Sequence, residues 1–144
     1  RNLLYNSNMS GKIEISKLNV PPEKHELETA RYFATRGYDI EFIPPSNIPE
    51  VHRPDILMLG IEWEIKCPIG KGRNTISRNI KQAVRQSENI IIDLRRIALP
   101  EKQCIIQIEK QVHERRSIKR ILVIKKDQEL LDITTQGIKV LIDK

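Results

Sequence analysis

Three consecutive isoleucines, Ile90-Ile91-Ile92, stand between Asn89 and Asp93, and a strand with one face in water cannot hold such a run. Successive side chains of a strand point to opposite faces, so this segment must be covered on both, as strands of helix-flanked sheets are. Ile118 to Ile124 reads as a further buried strand, and Glu129 to Ile133 follows it across an Asp127-Gln128 turn. The covering helices are visible as apolar stripes. Ile76, Ile80, Ala83 and Val84 mark a helix over 74–87, and Cys104, Ile105, Ile108 and Val112 mark one over 101–115. Upstream, Pro21-Pro22 opens a helix carrying Leu27, Ala30, Phe33 and Ala34, which stops at Gly37. Tyr38 to Ile43 alternates as a strand, Pro44 to Pro54 is a connector with four prolines, and 55–59 and 62–67 form a hairpin turning at Gly60-Ile61. The order is helix, strand, hairpin, helix, strand, helix, strand, strand, which predicts a mixed α/β domain with a central sheet flanked by helices.

At 144 residues this is one domain's worth of chain. Residues 1–20 are polar and weakly patterned, expected as a leader or linker before a single domain over 21–144. No apolar run approaches the roughly 18 residues of a membrane span. The chain opens on Arg1 without a signal peptide and reads as a piece of something longer, any export signal lying outside it. Cys67 and Cys104 allow one disulfide at most and sit in no zinc spacing, so both are expected as small, buried, reduced side chains.

The net charge of +6 is unevenly spread. Lys66 to Lys126 holds 16 Lys or Arg against five Asp or Glu, leaving nine basic and 14 acidic residues elsewhere. A basic half beside an acidic one suits a polyanion approaching a carboxylate cluster, although a solvated basic surface gives the same count. Aromatics are only 4% of the chain, which disfavours a stacking platform and favours phosphate recognition.

The sharpest pattern is Pro54-Asp55, eight residues, then Glu64-Ile65-Lys66. Alternation sets Glu64 and Lys66 on one strand face, with Trp63 and Ile65 on the other. A two-residue turn at Gly60-Ile61 would pair Leu57 with Glu64 and Asp55 with Lys66, converging Asp55, Glu64 and Lys66 at the open end of the hairpin. Two carboxylates there can hold one Mg²⁺ or Mn²⁺ ion, and the lysine can orient a water or offset developing phosphate charge. A surface salt bridge is the plain alternative. Glu26, expected on the buried side of the first helix, is either a further metal ligand or an N-terminal carboxylate favoured by the helix dipole. His25, His52 and His113 read as ordinary surface histidines.

Lys71 and Arg73, in a loop with Gly70 and Gly72, and Arg78, Lys81, Gln82 and Arg85, on the helix that follows, form a basic stripe suited to phosphates. A solvated helix face is the alternative.

The pattern resembles PD-(D/E)xK, carried on the α-β-β-β-α-β order of the restriction-endonuclease-like fold. More closely, the stretches HELETARYFATRGYDIEFIPPSN, RPDILMLGIEWEIKCPIGKG and NIIIDLRR resemble the C-terminal tRNA nuclease toxin domain of contact-dependent growth inhibition proteins, over roughly residues 25–132. The resemblance implies delivery as part of a larger, secreted or cell-surface bacterial protein. It further implies action in the cytoplasm of a competing cell, cleavage of tRNA, and neutralisation by a cognate immunity protein. By position it assigns Glu26, Asp55, Glu64 and Lys66 as catalytic. The rival expectations are a metal-dependent DNA endonuclease of the resolvase or restriction type, and a basic nucleic-acid-binding module without chemistry.

Overall fold

The computed structural model describes residues 10–134 and the backbone of residues 137–140. They divide into two compact units, the boundary falling between Trp63 and Glu64 inside one strand. Elements follow in the order β1 (Ile13–Glu14), α1 (Lys24–Ala34), β2 (Ile40–Phe42), β3 (Ile56–Met58), β4 (Ile61–Lys66), α2 (Thr75–Ala83), β5 (Asn89–Asp93), a 3₁₀ turn (Leu94–Arg96), α3 (Glu101–Glu114), β6 (Arg120–Ile124), β7 (Leu130–Thr134) and β8 (Gly137–Val140). This is a mixed α/β chain, and the run α1-β2-β3-β4-α2-β5 has the expected order.

In the first unit β1 runs parallel to β2, β2 antiparallel to β3, and β3 antiparallel to the first half of β4. Aromatic residues fill its core: Phe33 packs edge-on against Tyr32 at 5.2 Å and Tyr38 at 5.8 Å, and buried Trp63 donates its indole N–H to the Met58 carbonyl at 2.9 Å. That bond satisfies the one polar atom of a side chain otherwise suited to full burial. The leader expected over residues 1–20 is not all leader. Residues 1–9 lie outside the described residues, but Ile13 and Glu14 form β1, and Gly11 donates to the Ala34 carbonyl at 2.6 Å. A Cβ on Gly11 would stand 1.9 Å from the Tyr38 carbonyl oxygen, so only glycine lets the chain pass there.

Helix α1 starts at Lys24, after both prolines, with Glu23 as its N-cap. The hairpin also differs from expectation. Its turn is Leu59-Gly60, both with positive φ (59° and 71°), not Gly60-Ile61, and Leu57 faces Glu62 rather than Glu64. Two left-handed residues match the twist of the flanking strands, and glycine fits the second of these positions. The slip is two residues, so every side chain keeps its expected face.

In the second unit β5 lies parallel to both the second half of β4 and β6, and β6, β7 and β8 pair antiparallel. Strand β8 was not expected from the sequence. Ile90, Ile91 and Ile92 are all fully buried, as their unbroken run required. Ile76 and Ile80 of α2 and Ile108 and Val112 of α3 pack with Ile90, Ile92, Ile121 and Val123 in one cluster. Two buried carboxylates of this unit are matched by arginines: Asp93 accepts from the Arg95 Nε at 2.9 Å and Nη2 at 2.7 Å, and Asp132 from the Arg120 Nη2 at 2.7 Å. Unpaired, either charge would be costly at such depth.

Candidate active site

Asp55 is fixed by backbone before its side chain is considered. Its N–H donates to the Trp63 carbonyl at 3.0 Å, and its carbonyl accepts from the Ile43 N–H at 2.9 Å. The residue therefore extends β3 by one position between its two neighbours, and it is half-buried. Glu26 sits in the first turn of α1 and is half-buried, not fully inward as expected. Its Oε1 accepts from the Glu23 N–H at 3.3 Å, in the manner of a capping box. Both of the roles considered for Glu26 are thus open to it, because Glu26 and Asp55 also line one pocket of about 830 Å³.

The other pair lies in the second unit. Glu64 is 4% exposed, held in β4 opposite Ile90 of β5. Lys66, two positions on and thus on the same face, places Nζ 3.8 Å from Glu64 Oε2. Both side chains are largely shielded from water, which makes their attraction stronger than a surface pair's. Strand geometry therefore holds the carboxylate and the ammonium at defined points beside one another.

Lys71, Arg73, Lys81 and Arg85 lie with Arg78 and Gln82 along the solvent side of this stretch, while Ile76, Ile80 and Ala83 bury the opposite side of α2. The glycine loop before the helix is anchored. Gly70, at φ 91°, bridges to Ile97, and its carbonyl accepts from the Ala98 N–H at 2.8 Å. Its positive φ lets the loop form that bridge, and the space a Cβ would take there is open. His25 stands 3.5 Å from Glu23 Oε1, while His52 and His113 are exposed. Cys104 is fully buried as expected, but Cys67 is only half-buried.

Glu26 and Asp55 in the first unit, and Glu64 in the second, each carry carboxylate oxygens, the donor type that suits a hard cation. Among the described residues no group of three His, Cys, Asp or Glu side chains gathers as a metal-binding cluster. What the sequence did not reveal is the role of the Pro44–Pro54 connector, which lines the pocket through Arg53, Ser46 and Asn47. The available signal was its density of prolines, which stiffen a loop enough to shape a wall.

The fold is similar to a chain of the CdiA-CT/CdiI toxin and immunity complex from Burkholderia pseudomallei, with a TM-score of 0.62 and 20% identity over 86% of this chain and 99% of that one. At that identity the likeness is one of fold. Residues 52–130, more than half of the chain, match the contact-dependent growth inhibition CdiA C-terminal domain, and the chain belongs to that family. It is a C-terminal toxin domain of contact-dependent growth inhibition. No curated protein matches it. Among the described residues no helix is long and apolar enough to cross a membrane.

Proposed function

We propose that this toxin domain is a metal-dependent endonuclease that hydrolyses phosphodiester bonds in tRNA, on a PD-(D/E)xK core. The observation that carries the reading is the Glu64–Lys66 pair, a shielded carboxylate and ammonium 3.8 Å apart in the strand that precedes a basic helix. The family match spans Asp55, Glu64, Lys66 and the whole basic stripe, and leaves out Glu26.

In this reading the carboxylates of Asp55, Glu64 and Glu26 would be the groups to hold a Mg²⁺ or Mn²⁺ ion. When bound, such an ion polarises the scissile phosphate and acidifies a water. Lys66 offsets the charge that develops on the phosphate oxygens. Lys71, Arg73, Arg78, Lys81 and Arg85 neutralise backbone phosphates, with Gln82 donating beside them. The similar structure is a toxin and immunity complex, and we infer the same regulation here: delivery as part of a larger protein, action in the cytoplasm of the recipient cell, and a cognate immunity protein that covers the basic face.

Expression of the domain in cells followed by sequencing of RNA ends tests the substrate directly. Parallel incubation of a supercoiled plasmid and a total tRNA pool with protein and Mg²⁺ separates this reading from a DNA endonuclease. Cleavage of the plasmid alone would overturn the tRNA assignment, and cleavage of neither would leave a binding module.

A further inference from the structure

The pocket that holds Glu26 and Asp55 is lined by Glu23 as well, and by more than carboxylates. Its walls are formed by the segment 18–23 and by residues 42–48 and 53–55. Pro22, Phe42 and Pro44 supply rigid apolar surface, and Val20 and Ile48, 72% and 64% exposed, line the same hollow. Single exposed aliphatic residues are ordinary on a protein surface. Two of them lining one concave site beside rings of proline and phenylalanine are the surface a flat apolar ligand needs. Beside the charged groups of Glu23, Glu26, Arg53 and Asp55, the pocket offers the amides of Asn19 and Asn47, which can read donor and acceptor edges, and the Ser46 hydroxyl, which accepts from the Ile48 N–H at 3.0 Å. Arg53 lines the pocket too, its Nη1 donating to the Pro44 carbonyl at 3.4 Å, which leaves other guanidinium N–H groups for an anion. A volume of about 830 Å³ falls in the range of pockets that take small organic molecules.

We propose that this pocket receives one unstacked nucleotide of the substrate strand, its base against the proline and aliphatic walls and its phosphate on Arg53. The proposal rests on the nuclease reading above and narrows its substrate to strands that can offer such a nucleotide. Bases inside a duplex are stacked and paired, and only flipping or an unpaired loop presents one singly. The same pocket carries Glu26 and Asp55, so a base seated in it brings its own phosphate to the carboxylates proposed to hold the metal. Few aromatics are needed for this, because a single base is gripped and not a stacked run.

The test is a titration of the whole chain with each of the four nucleoside monophosphates in Mg²⁺, and separately with inorganic phosphate, followed through backbone amide shifts by NMR. A mononucleotide has no internucleotide bond to cut, so turnover does not interfere. Saturable shifts at Asn19, Val20 and Ser46 to Ile48 are expected, with phosphate at least about fivefold weaker. Asn47→Ala and Ile48→Ala, both at exposed loop positions, should weaken nucleotide binding several-fold, whereas Lys110→Gln, exposed on α3, should leave it unchanged. No saturable shift in these loops, or phosphate binding as tightly as nucleotide, overturns the proposal. A cleavage arm compares one strand presented as a perfect duplex and as a hairpin with an unpaired loop. Cutting confined to the loop supports the pocket, and equal cutting of the duplex overturns it. If nucleotides bind in these loops but no nucleic acid is cut with any divalent metal, the nucleotide site stands and the nuclease reading falls.

Discussion

Lys66 Nζ approaches Glu64 Oε2 to 3.8 Å from two positions along the same strand, with side-chain exposures of 19% and 5%. The pair is held by strand alternation, so it forms without any loop having to close over it. Removing either partner leaves the other charge in a poorly hydrated place.

If the proposed nuclease reading holds, Glu64→Gln, Asp55→Ala and Lys66→Ala should each lower cleavage by about 10²-fold or more, because each takes away a group proposed to stabilise the transition state. Glu64→Gln keeps the shape of the side chain and is expected to stay folded, which circular dichroism and a thermal melt will check. Full activity in a folded Asp55→Ala, Glu64→Gln double variant would sink the assignment.

Chelation offers an independent test. The proposed ligands are all carboxylates, which favours a hard ion over zinc. EDTA should abolish cleavage, and Mg²⁺ or Mn²⁺ should restore it. Undiminished cutting in excess chelator would mean the carboxylates work by proton transfer alone.

The basic face of α2 can be tested through salt. Every arginine–phosphate pairing that is removed should reduce the slope of log K against log salt by about 0.7–0.9. An Arg78→Gln, Arg85→Gln double variant should therefore bind tRNA more weakly and with a flatter salt dependence. Arg115 is already engaged, its Nε donating to the Gln111 side chain at 2.7 Å, and Arg115→Gln with Arg116→Gln should do less. A larger drop in affinity for the second pair would put the substrate on another face.

Leu59 has φ 59° in the hairpin turn, a conformation that costs a leucine more than it costs an asparagine. Leu59→Asn should stabilise the fold by about 0.5–1 kcal/mol, as an Asn-Gly turn replaces Leu-Gly. Chemical denaturation measures this, and an unchanged or lower midpoint would contradict the turn geometry.

The two thiols should differ in reactivity. Burial pushes the Cys104 thiol up from its usual range, only partly opposed by the positive charge of Lys126. A higher pKa means less thiolate at any given pH below it, and the side chain is fully buried as well. At pH 8 a thiol-specific reagent should modify Cys67 first and Cys104 only on unfolding. Equal rates for both in the folded protein would contradict this.

The division between what the chain announces and what the fold decides runs along the range of the forces involved. Ile90-Ile91-Ile92 declares a doubly covered strand because burial on both faces leaves no room for alternation, and Ile76, Ile80 and Ala83 declare a helix face because their spacing matches a period of 3.6. Glu64 and Lys66 share a face for the same local reason, and the basic stripe from Lys71 to Arg85 follows from the helix that carries most of it. Those features depend on neighbours within a few residues, so the sequence by itself determined them. The hairpin turn was legible to within one position, but Leu59-Gly60 prevailed over Gly60-Ile61 because strand twist, a property of two paired strands, selects a pair of left-handed residues. Strand β1 was invisible in a polar segment, since its pairing depends on Gly11 passing close against Tyr38, far along the chain. The half-buried, capping position of Glu26, and the pocket that the proline-rich connector builds around it and Asp55, required chain segments distant in sequence to be folded onto one another. Only the tertiary structure decided those, because no local pattern encodes which loop will become another's wall.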